Sequence, residues 1–258
     1  MGAGVAPGEP GGMPLDIAAQ LYEIGAVIDP AATAAIYEPL HAAEPAAGIA
    51  IERDLSYGPD PRHRLDVVTA GDGNDAKPVV VFVHGGGFTR GQKSAPGMVF
   101  YDNVMRWAAE NGLVGVNINY RLAPTHQWPS GIEDLGSVVA WLRDNVGAYG
   151  GDPERIVSWG HSAGAAHVGD YVADRVGRGA DAGLAGAILS SGFYDLGDEV
   201  STWQAYYGAD VARYNERSSL PNLVRADIPL LINDAELDPP NFGPETMKLV
   251  EGRRRAGT

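Results

Sequence analysis

The segment RIVSWGHSAGAAHVGDYVADRV, residues 155–176, decides how the rest of the chain is read. It opens on a short strand, 155–159, and continues as a helical stretch over 163–176. Between them stand Gly160, His161, Ser162, Ala163 and Gly164. A serine at such a junction sits on a strained turn, and the residues two before and two after it must be glycine or they collide. The helix that follows offers unpaired N–H groups, and the positive end of its dipole, to a negative charge forming beside the serine. Ser162 is therefore the candidate nucleophile.

Working outward, His84-Gly85-Gly86-Gly87-Phe88 directly follows the apolar strand 79–83. Three consecutive glycines let a backbone turn its N–H groups inward, toward a substrate carbonyl. A phosphate-cradling loop is the alternative, but the Lys-Ser/Thr of a P-loop and the wider G-x-G-x-x-G context are both missing. Around these two motifs, apolar strands at 79–83, 113–119, 155–159, 184–189 and 228–232 alternate with helical patterns at 96–111, 131–146, 163–176 and from 244. This rhythm predicts an α/β fold, a mainly parallel sheet with helices on both faces. Two earlier strands flank the turn Gly58-Pro59-Asp60-Pro61, and 15–43 reads as short helices broken at Pro30 and Pro39. The aromatic-rich stretch with Trp203, Tyr206, Tyr207 and Tyr214 interrupts the rhythm, either as a pocket cover or as ordinary packing.

Composition bounds the function. The 258 residues carry 33 Asp+Glu against 19 Lys+Arg, a net charge of −14 that repels phosphate backbones and anionic bilayers. Neither nucleic acid nor a membrane is expected as a partner. There is no cysteine, hence no thiolate chemistry and no Cys-ligated metal. No H-E-x-x-H spacing occurs, and neither metal nor cofactor is expected. Residues 1–13 lack a basic and apolar signal and read as a flexible leader, so the expected location is cytoplasmic.

Five stretches together resemble the hormone-sensitive-lipase-like carboxylesterases of the α/β-hydrolase fold: HGGGF at 84–88, YRLAP at 120–124, GGDPERI at 150–156, GHSAG at 160–164 and ELDPP at 236–240. The resemblance runs over about residues 15–250. It implies a serine hydrolase of small acyl or aryl esters that needs no cofactor. Its oxyanion donors fall on the N–H groups of Gly86, Gly87 and Ala163. Its acid falls on Asp238, with Glu236 and Asp234 as nearby alternatives. Phe88 and His161 are the candidate substrate contacts, 14–47 is a small helical lid, and 48–258 is the hydrolase domain. His161 stands where the family more often has Asp. With SGFYDL at 191–196, it is more like the arylformamidase-type enzymes of the same fold.

On this fold the triad runs Ser, acid, His in chain order. Only 20 residues follow Asp238 and none is His. His41, His63, His84, His126, His161 and His167 all precede it, each expected to be a surface or packing residue. The expectation is a chain that stops before the last strand and helix, with impaired activity. Its uncovered sheet edge could recruit another chain, giving a homodimer or an aggregate. A trimmed chain, a natural truncation or frameshift, and a catalytically silent ligand-binding protein are the competing explanations.

Overall fold

The computed structural model describes residues 13–41, 48–71, 76–95, 99–197 and 203–258, so the leader expected at the N-terminus lies almost wholly outside the described residues. The chain divides into two compact units, one of Met1–Glu44 with Glu236–Asp238, the other of Pro45–Ala235 with Pro239–Thr258.

In the first unit, helix α1 (Leu15–Ile24) packs against α2 (Pro30–His41). Pro30 opens α2, where its missing N–H has no helical acceptor to lose. Pro39 does not break the helix as its sequence suggests. It lies in the last turn, where its fixed φ is already helical and only the bond back to Ala35 is lost.

The second unit is built on seven strands: β1 (Ile49–Ser56), β2 (Arg64–Ala70), β3 (Lys77–Val83), β4 (Val114–Ile118), β5 (Gly151–His161), β6 (Gly186–Ser190) and β7 (Leu230–Asn233). Their order is β1-β2-β4-β3-β5-β6-β7. The β1–β2 and β2–β4 pairs are antiparallel and the rest parallel. Helices α3 (Asp102–Glu110), α4 (Ser130–Asn145), α5 (Ala163–Gly177), the short α6 (Gln204–Tyr207), α7 (Tyr214–Arg217) and α8 (Leu220–Leu223), and α9 (Phe242–Ala256) complete it.

Side chains alternate across the sheet, so adjacent strand residues enter different cores. Val67, Val79 and Val81 pack with Val138 and Leu142 of α4 and Val168 of α5. Their neighbours Val68 and Phe82 pack with Met105 and Ala109 of α3 on the opposite face. Each fully buried aliphatic side chain contributes about 1.5–3 kcal/mol, which is why near-continuous Val/Ile runs form the centre. Of the helix expected over 96–111, residues 96–98 lie outside the described residues, 99–101 are not helical, and α3 starts at Asp102. There the carboxylate is clasped by Arg53, with Nη2 2.6 Å from Oδ2. At the other end α9 runs to Ala256, its last-turn arginines facing the negative end of the helix dipole.

Because β3 lies between β4 and β5, the chain reverses direction across the sheet after β3. Val83 pairs with Gly160, which sets the loop after β3 beside the loop after β5 at the carboxyl ends of the strands. No helix among the described residues is long and apolar enough to cross a membrane.

Candidate active site

Ser162 sits between β5 and α5 with φ 55° and ψ −122°. A non-glycine residue in such a region costs about 1–3 kcal/mol and persists only when its surroundings over-determine it. Here they do. The Ser162 N–H donates to Ser190 O at 2.9 Å, and the Ser162 carbonyl accepts from Ala165 N at 2.9 Å and Ala166 N at 3.1 Å. Ser190 is itself tied in. Its hydroxyl accepts from Trp159 Nε1 at 3.0 Å and donates to Asn233 Oδ1 at 2.9 Å, which links the ends of β5, β6 and β7. The two flanking glycines are obligatory. A Cβ on Gly160 would lie 2.5 Å from Ala165 Cα, and one on Gly164 2.7 Å from His84 O and closer still to Val83 O.

The glycine loop is pressed against this turn. A Cβ on Gly85 would lie 3.2 Å from Ser162 Cβ. His84 is fully buried, its ring stacked on Tyr120 at 4.3 Å, and Nδ1 donates to Gly85 O at 2.7 Å. Burial pushes this imidazole down to about 4, so it is neutral and the N–H is available for that bond. From the YRLAP segment, Tyr120 donates its hydroxyl to His84 O at 2.8 Å, and Ala123 N donates to Phe88 O at 2.9 Å. Gly86 adopts φ +131° and accepts from Thr89 N and Arg90 N. Thus held, the N–H groups of Gly86, Gly87 and Ala163 have no acceptor among the described residues.

The structure therefore brings together the serine turn and the glycine loop. Phe88, although at φ 65°, is only 1% exposed. Its ring is stacked on Tyr206 at 4.6 Å inside a cluster with Phe193, Trp203 and Tyr207, so the aromatic stretch after β6 is packed around it. His161 is exposed. Asp238 lies in the turn after β7 and clusters with the N-terminal helices.

Among the described residues, no imidazole hydrogen-bonds the Ser162 hydroxyl. His63 Nε2 is 3.0 Å from Asp134 Oδ1, and His126 is 3.8 Å from Asp60. His167 is buried with both ring nitrogens unpartnered, edge-on to Tyr120 at 4.5 Å, and burial lowers it to about 3. Nearby on α5, Asp170 is pushed up to about 7 by burial although Tyr207 donates to it at 2.8 Å. Among the described residues, no three His, Asp or Glu side chains gather as metal ligands. Sequence reasoning missed the Ser190–Asn233 tie. Nor does a local pattern announce that Tyr120 and Ala123 of YRLAP brace the glycine loop.

Residues 65–173 match the BD-FAE family model. The chain is 41% identical to Esterase LipC of Mycobacterium tuberculosis over 113 residues, 43% of this chain and 27% of that protein. It is 32% identical to the probable isoprenylcysteine alpha-carbonyl methylesterase ICME of Oryza sativa subsp. japonica over 208 residues, 76% of this chain and 44% of that protein. It thus spans less than half the length of these curated relatives. Among solved structures, a bacterial hormone-sensitive-lipase-family esterase aligns over 94% of this chain and 84% of its own, with TM-score 0.65 and 21% identity. The chain has the α/β-hydrolase fold and is similar to the hormone-sensitive-lipase-like carboxylesterases.

Proposed function

We propose that this chain is a serine hydrolase acting on small carboxylic esters through an acyl-enzyme. The Ser162 oxygen attacks the ester carbonyl carbon while its proton passes to a base. The carbonyl electron pair moves onto oxygen, and that oxyanion accepts hydrogen bonds from the N–H groups of Gly86, Gly87 and Ala163. Collapse re-forms the carbonyl, breaks the bond to the alcohol oxygen and delivers the proton to it. Water then attacks the acyl-serine by the same route, releasing the acid and restoring Ser162. Asp238 would orient the imidazole of a triad, and no histidine among the described residues hydrogen-bonds Ser162 to fill that place.

One observation carries the reading: three N–H groups without an acceptor among the described residues, beside a serine held in a strained backbone conformation. The matched relatives, named as an esterase and a methylesterase, agree with ester chemistry. Since no imidazole bonds Ser162 among the described residues, we assign these residues a reduced rate. Removing a triad member leaves about 10³–10⁴-fold over water. The same observation favours a second reading, a silent binding protein using the pocket as a receptor.

Turnover of p-nitrophenyl acetate and butyrate, with Ser162→Ala as control, tests the proposal. Hydrolysis abolished in the variant is expected, and equal rates for the two proteins overturn it. N-formylkynurenine beside the esters separates an amide preference. Failure of a fluorophosphonate to label Ser162, together with tight binding of a small ligand, selects the silent receptor.

A further inference from the structure

A cavity of about 380 Å³ opens beside the glycine loop, within the size range of small-molecule sites. Gly85 and Gly86 form one wall, Phe100 and Tyr101 another, and Arg90 and Gln92 line it as well. Gly85 joins this cavity to the serine turn, since it also packs on Ser162. Tyr101 is held there by its ring, 4.9 Å from that of Phe82. Arg90 is fixed too. Its N–H donates to Gly86 O at 3.2 Å, and its carbonyl packs so tightly under Gly86 that a Cβ there would lie 2.7 Å from Arg90 C.

The cations around this loop differ in how they are used. Lys93 is buried against Asp66 at 2.6 Å and Asp54 at 2.8 Å, so its charge is neutralised. Arg62 donates to the carbonyls of Tyr120 and Gly91. The Arg90 guanidinium has no acceptor among the described residues. It is an uncommitted, exposed positive charge lining a cavity at the glycine loop of a chain whose net charge is −14.

We propose that this cavity receives a carboxylate carried by the substrate away from its scissile carbonyl, with Arg90 as the counter-ion. Guanidinium recognises carboxylate through paired N–H donors, and Gln92 adds a neutral donor. The substrate class is then carboxylate-bearing esters, such as hemiesters of short dicarboxylic acids. The proposal deepens the esterase reading, and its kinetic arm rests on it. Its binding arm does not.

In the kinetic arm, p-nitrophenyl hydrogen glutarate is compared with its neutral carboxamide, the p-nitrophenyl glutaramate. The same comparison between 4-carboxyphenyl and 4-carbamoylphenyl butyrate puts the charge on the alcohol side instead. In the binding arm, Ser162→Ala is titrated with N-phenyl glutaramic acid and with its carboxamide. The expected carboxylate preference is about three- to tenfold in kcat/KM for one side of the ester and in Kd, modest because Arg90 is exposed. It shrinks in high salt. Arg90→Lys keeps part of it. Arg90→Gln reverses it below unity, because the remaining charge repels anions. Equal affinity for acid and amide, or a preference that survives Arg90→Gln, overturns the proposal. If no ester is turned over while the binding preference is present and lost in Arg90→Gln, this proposal stands and the hydrolase reading falls.

Discussion

Gly164→Ala probes the contact on which the site depends. The added methyl would sit 2.7 Å from His84 O and nearer to Val83 O, both backbone atoms of β3 and the glycine loop. Ordinary contact begins near 3.4 Å, so the start of α5 must retreat by about 0.7 Å to clear His84 O and by about twice that to clear Val83 O. Neither oxygen can swing aside as a side chain does. Overpacking costs about 1–3 kcal/mol, and a rigid partner places this case near the upper end. For a chain of this size that lowers Tm by roughly 6–12 °C. The retreat also draws Ser162 and Ala163 away from Gly86 and Gly87, and a misplacement of about 1 Å lowers kcat/KM on the order of 100-fold. Calorimetry and p-nitrophenyl butyrate kinetics read the two effects. Gly147→Ala, where a Cβ meets nothing within 4 Å, is the control and leaves both unchanged. A Gly164→Ala protein with the parent Tm and rate refutes the packing of the elbow against the glycine loop.

Three further outcomes follow from the same geometry. Gly86→Ala places a side chain at φ +131° and 2.7 Å from Arg90 C, and lowers kcat by about 10²-fold or more while the sheet core is untouched; kcat measured beside Tm checks this. Asp170 is held up near 7, so the folded chain keeps a proton that an unfolded Asp releases near 4. Its contribution to stability falls as pH rises between about 4 and 7, and urea titrations of Asp170→Asn show a gain that grows across that window. His167, lowered to about 3, acts oppositely: stability falls as pH drops from about 6.5 toward 3. His167→Leu removes two unpartnered buried nitrogens, weakens that acid limb, and leaves the neutral-pH Tm equal or higher.

What could be read in the chain beforehand was local. The serine turn is five residues whose glycines are demanded by contacts within the turn and with the adjacent strand end, so its pattern survives in one dimension. The strand-helix rhythm is likewise periodic, and 79–83 and 163–176 fall within β3 and α5. Other features depend on distant partners. The start of α3 is set where Asp102 meets Arg53, 49 residues away. The Ser190 bridge from Trp159 to Asn233 spans three strands. Phe88 follows directly on the glycines, yet its burial is decided by Tyr206 and Trp203, which come more than a hundred residues later. Arg90 carries no motif at all; only the cavity and the ion pairs of its neighbours single it out.

The most direct test is the structure of the protein reacted with a small phosphonate ester. The account predicts phosphorus bonded to Ser162 Oγ, and the phosphoryl oxygen about 2.7–3.1 Å from the N–H groups of Gly86, Gly87 and Ala163. An adduct on another residue, or a phosphoryl oxygen turned to solvent beyond reach of those three amides, would contradict it.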